Sequence, residues 1–173
     1  MLQKEEPNEL LKRVTAASLK AIAAVSDLEV SFAPGQSSET GRQAVLPTPI
    51  GSPDKESLTK LRGVSDALAV RLRYHDSTLH EKHMPVGPEA RAVYESIEQV
   101  RCESLAIRRF NGVSKNLGIL LDEKCKAKGL GALTEQNDVL LPEAIGLLVR
   151  ESLTGEPTPK SADGLMHLWR NEL

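Results

Sequence analysis

Aromatic side chains are nearly missing: one Trp, two Tyr and two Phe in 173 residues. A core built with so few rings rests on Leu, Val, Ile and Ala. That composition suits packed helices better than a large sheet, which favours β-branched and aromatic residues. Strong charge of one sign is missing too, with a formal net charge of -2 and a pI of about 6.1. A dedicated nucleic-acid binder needs a basic face and stacking rings, so that class is excluded. No apolar run approaches the ~20 residues of a membrane span. The start, "MLQKEEPNELLK", is charged and unlike a signal peptide. These absences predict a cytoplasmic protein without membrane contact. Cysteine is scarce: Cys102 and Cys125 form no CxxC pair, which removes the zinc-ribbon and thioredoxin-like patterns. Cytoplasmic thiols stay reduced, so both read as partly buried free thiols. The sequence holds no P-loop, no GxGxxG after a strand, no GxSxG and no DxSxS.

What is present is periodic apolar spacing. Hydrophobic residues make up 40% of the chain, enough for a core, and the length suits a single domain over 1–173. Residues 8–26 read as a helix, capped by Asn8, with Leu11, Val14, Ser18, Ala21 and Val25 at helical spacing. "LEVSF" (28–32) alternates like a strand, "RQAVLP" (42–47) is a second, and "APGQSSETG" between them is rich in turn formers. A β-hairpin with its connector is therefore expected over 27–52. Ser52 as N-cap with Pro53 at the first position starts the next helix. Its stripe runs Leu61, Val64, Leu68, Leu72, His75 and Leu79. Gly87-Pro88 restarts a helix to about Arg109, and "NG" at 111–112 breaks it. Another follows through Cys125, ending in "KAKGL", where Gly129 suits a left-handed cap. A helix over 142–153, a linker over 154–161 and a last helix in "ADGLMHLWRNEL" complete the chain. Stopping inside a helical pattern suggests a piece of a longer protein. The expectation is a mainly α helical bundle with one small β-hairpin after the first helix.

Three of the four histidines fall in "RLRYHDSTLHEKHMP", residues 71–85. In an unbroken helix Asp76, His80 and His83 would share one face, and such donors can bind a divalent transition ion. His75 would lie about 100° away on the apolar stripe. The competing reading is structural. Asp76 is a good N-cap for a short new helix, Thr78 and Glu81 fit a capping box, and His75 would end the long helix. The spacing is not HExxH, so a zincin peptidase is not supported and at most a degenerate scaffold of that kind remains. His75, Asp76 and His80 are kept as candidate metal ligands.

In "EARAVYESIEQVRCESLAIRR" (89–109), Arg91, Glu95, Glu98 and Arg101 succeed one another at i+4, i+3 and i+3. They form a charge ladder along one helix face. It is either a solvated face with weak ion pairs or a contact surface for another helix or subunit.

In order, "LEVSF", "AVLP", "RGVSDALAVRLRYHDSTLH", "EARAVYESIEQVRCESLAIRR", "GVSKNLGILLDEK", "EAIGLLVRESLTG" and "LW" resemble the N-terminal region of the CobT family, a subunit of the aerobic cobaltochelatase. The resemblance spans roughly residues 10–170. It implies an ATP-dependent complex that inserts cobalt into hydrogenobyrinic acid a,c-diamide during aerobic cobalamin biosynthesis. It also implies two partners, an AAA+ ATPase subunit and a large corrinoid-binding subunit. In the family, an acidic linker and a magnesium-binding DxSxS domain follow this region, and neither is in these 173 residues. ATP and magnesium are thus expected on the partner or on that further part, cobalt is the substrate, and no cofactor is expected here. The implied role is assembly and interaction. The rival is direct metal handling by His75, Asp76, His80 and Glu98.

Overall fold

The computed structural model of the chain describes residues 6–35, 37–51 and 54–172. They divide into two compact units, Met1–Arg73 and Tyr74–Leu173. The Ser52 cap and Pro53 helix start lie outside the described residues.

In the first unit, α1 spans Pro7–Ala23. Glu6 occupies the N-cap position and Pro7 the first turn, where a missing N–H costs nothing. The expected Asn8 cap is therefore corrected. The Asn8 amide is instead a long-range tie, with Nδ2 donating to the Gly51 carbonyl at 2.9 Å. The helix ends at Ala24, in left-handed conformation at φ 58.

Three short strands follow: β1 (Glu29–Ala33), β2 (Ser38–Thr40) and β3 (Gln43–Pro47). The two strands read from the sequence do meet, but as a parallel pair, with Val30 opposite Ala44 and Phe32 opposite Leu46. The hairpin is made by β2 and β3, which pair antiparallel around a two-residue turn at Gly41-Arg42. Gly41 sits at φ 59, which a two-residue hairpin turn demands and glycine adopts without strain. The sheet order is β1-β3-β2.

Helix α2 (Lys55–Tyr74) closes this unit, and the Asp54 carboxylate accepts from the Ser57 N–H at 2.7 Å at its start. Leu61, Leu68 and Ala69 of α2 join Leu19, Ala23, Leu28, Ala44 and Leu46 in one aliphatic core.

The second unit is helical: α3 (Ser77–Lys82), α4 (Pro88–Ile107), α5 (Asn111–Ala127), α6 (Leu141–Thr154) and α7 (Asp163–Trp169). Gly129 takes the expected left-handed conformation at φ 65, and Gly155 does so at φ 72 after α6. Cys125, Leu130, Ala144, Leu147, Leu165, Met166 and Trp169 form its core. Helix α4 packs chiefly on α6, at a contact so close that a Cβ on Gly146 would lie 2.4 Å from Ser96 Oγ. The mainly α class with a small β element after the first helix is thus observed. Among the described residues, no helix is long and apolar enough to cross a membrane.

Candidate functional site

The helical stripe that the sequence carries through residue 79 breaks at His75-Asp76. Asp76 is extended, at φ -111 and ψ 102, and its Oδ1 accepts from the Leu79 N–H at 2.9 Å. The cap satisfies one of the donors that a helix start leaves orphaned. Through this break, His75 and His80 approach each other, ring centroids 4.7 Å apart and planes at 66°. On a continuous helix a five-residue step would turn them about 140° apart. Asp76 itself is exposed and its Oδ1 serves the cap, so it stands outside the cluster. His83 ends α3 and is exposed.

One face of α4 lies along this segment. Arg91 Nε donates to the Pro85 carbonyl at 2.7 Å. Glu95 Oε1 is 2.8 Å from His80 Nε2, and Glu98 Oε1 is 2.8 Å from His75 Nδ1. Arg101 closes the row, with Nη2 donating to the Tyr74 carbonyl at 2.7 Å. The four ladder residues therefore contact residues 74–85 of their own unit. Two further side chains take part. Tyr94 stacks on His80 at 4.5 Å, and the Cys102 thiol donates to Glu98 Oε1 at 3.6 Å. Cys102 stands four residues after Glu98, a spacing that puts both on one helix face. Tyr94 and Glu98 share the same spacing. Those spacings are the only sequence signals for Tyr94 and Cys102, and helix periodicity alone assigns neither residue to the site.

Glu98 is the most heavily bonded acid of the group. Arg101 Nε donates to Oε2 at 2.7 Å and Nη2 to Oε1 at 2.8 Å. This fork pulls the Glu98 pKa down to about 2; burial pushes the other way, and the bonds from His75 and Cys102 add to the lowering. An ionised carboxylate only accepts, so His75 Nδ1 must carry the hydrogen and donate. At His80 it is Glu95 that holds Nε2, which leaves Nδ1 to face a ligand, the arrangement that orients metal-binding histidines. His80 is buried at 6% exposure. One ligating atom each from His75, His80 and Glu98 lies within 4.8 Å of the others. Two imidazoles and a carboxylate suit a first-row divalent ion.

Fold and site together define a mainly helical protein with a partly buried histidine–carboxylate cluster clamped by one arginine. The chain matches the description "Cobalamin biosynthesis protein CobT" over residues 5–173 and belongs to that family, a cobaltochelatase-subunit family. No solved structure matches it.

Proposed function

We propose that this chain is the assembly and interaction module of a non-ATPase subunit of the ATP-dependent cobaltochelatase, acting in the cytoplasm. The complex inserts cobalt into hydrogenobyrinic acid a,c-diamide in aerobic cobalamin biosynthesis. The family match over residues 5–173 carries this reading. The sequence has no P-loop, so ATP hydrolysis falls to an AAA+ partner, and corrinoid binding falls to the large subunit. The module docks one or both and passes motion between them, while the insertion chemistry takes place elsewhere in the complex.

Co-purification tests this. The 173-residue chain is expected to retain the AAA+ subunit or the large subunit on a column. Its deletion from the complex is expected to abolish cobalt insertion. Binding to neither partner, with insertion activity intact after deletion, defeats the reading.

A further inference from the structure

We propose that His75, His80 and Glu98 form an exchangeable site for a divalent first-row transition ion of the Zn²⁺ or Co²⁺ class, with Arg101 competing with the ion for Glu98. The donors come from two segments: His75 and His80 flank the Asp76 break, and Glu98 projects from the middle of α4. Their ligating atoms are already within 4.8 Å of one another. Metal–ligand bonds of ~2.0–2.2 Å bring tetrahedral donors to a little over 3 Å apart, so an ion would draw the three together and take the place of the His75–Glu98 hydrogen bond. The polar environment is that of a supported site. His80 gives Nε2 to Glu95, which leaves Nδ1 as the nitrogen for an ion. Tyr94 stacks on the same ring and fixes its plane.

Three protein donors leave a fourth position for water or a ligand in transit, the pattern of an open rather than a closed structural site. Arg101 makes it exchangeable. Its guanidinium holds both oxygens of Glu98. A doubly charged ion arriving at Glu98 meets that cation at close range, and binding requires the fork to open. The guanidinium is half exposed, with 44% of its side chain accessible, so it has solvent to swing into. It therefore occupies the site electrostatically while no ion is bound and weakens the ion's affinity by the cost of displacing it. This inference is independent of the assembly reading, because the metal measurements below involve no partner.

The test is titration of the 173-residue chain with Co²⁺, followed by its visible ligand-field bands, and with Zn²⁺, followed by nitrogen-15 NMR. One equivalent is expected to bind at micromolar free metal. Zn²⁺ is expected to shift the ring nitrogens of His75 and His80 and the Nε–H of Arg101, while His83 and His167 stay in place. His75→Asn/His80→Asn is expected to remove the bands, and Arg101→Gln to tighten binding about tenfold, equivalent to about 1.4 kcal/mol. The wild-type shifts need no variant to fold. Absence of micromolar binding overturns the proposal. So do shifts at His83 or His167 in place of the cluster, bands that survive the double histidine change, or an Arg101→Gln affinity no tighter than wild type.

Discussion

Glu98 and Arg101, three residues apart on α4, are joined by two parallel hydrogen bonds, Nε to Oε2 at 2.7 Å and Nη2 to Oε1 at 2.8 Å. The pair also anchors the start of its unit, because Nη2 reaches the Tyr74 carbonyl at the end of α2 and Glu98 holds the His75 ring. An isolated exposed i,i+3 pair contributes only a few tenths of a kcal/mol. This one differs because the Glu98 side chain is only 13% accessible and four polar hydrogens converge on it.

Glu98→Gln should therefore destabilise the second unit by about 1–3 kcal/mol, since it removes the charge and turns one of the two acceptor oxygens into an NH2 donor facing the same guanidinium and imidazole. Urea unfolding checks this through a lowered midpoint at unchanged slope. A midpoint equal to wild type would show that the fork contributes nothing net.

Two helix glycines should behave differently when given a methyl group. A Cβ on Gly146 meets Ser96 Oγ at 2.4 Å, and that hydroxyl donates to the Pro142 carbonyl at 2.7 Å. The hydroxyl can rotate away at the cost of its bond, so Gly146→Ala should lose about 1 kcal/mol, and prior Ser96→Ala should remove most of the penalty. A Cβ on Gly164 meets backbone, Gly131 O at 2.7 Å and Leu133 N at 2.8 Å. Backbone cannot swing aside, so Gly164→Ala should cost several kcal/mol, beyond what a helix-favouring methyl returns. Thermal unfolding of the three variants decides. Equal costs for Gly146→Ala and Gly164→Ala would refute the distinction.

Glu103 sets a pH dependence of unusual sign. Burial pushes its carboxyl above the ordinary 4.5, and the bond from Gln99 and the charges of Lys124 and Arg150 only partly oppose this. The native state then holds its proton more tightly than the unfolded chain. This contribution is full below about pH 4.5 and is lost as pH rises toward the native value. Glu103→Gln keeps the size and removes the titration. Its melting temperature relative to wild type should rise between about pH 4 and about pH 7. A difference that is flat with pH would contradict the assignment.

The aliphatic composition and apolar spacing were enough to read the mainly helical class, and the left-handed glycine at 129 was legible as a helix stop. The sheet was legible only in part. Leu28, Val30 and Phe32 alternate visibly, and so do Ala44 and Leu46. Ser38, Glu39 and Thr40 carry no apolar alternation, so β2 was invisible, and without it the parallel pairing of β1 with β3 could not be inferred. At the site, the N-cap role of Asp76 was readable because capping is a local rule of two or three residues. The meeting of His75 with Glu98 and of His80 with Glu95 spans 23 and 15 residues. That depends on how α4 returns against the segment, and no local spacing encodes it. The same long-range packing explains why Glu95 and Glu98, two rungs of the charge ladder read from sequence, each meet one of the histidines.

The scarcity of rings has a spectroscopic consequence. The only indole, Trp169, is buried in the core of Tyr74–Leu173, and both phenols, Tyr74 and Tyr94, belong to that same unit. Intrinsic fluorescence is therefore blind to Met1–Arg73, whereas backbone circular dichroism sees both units. A chain that melts in one step gives superimposable curves by the two probes. A lag between them would time the loss of the sheet-bearing unit against that of the histidine-bearing one, with no label added to either.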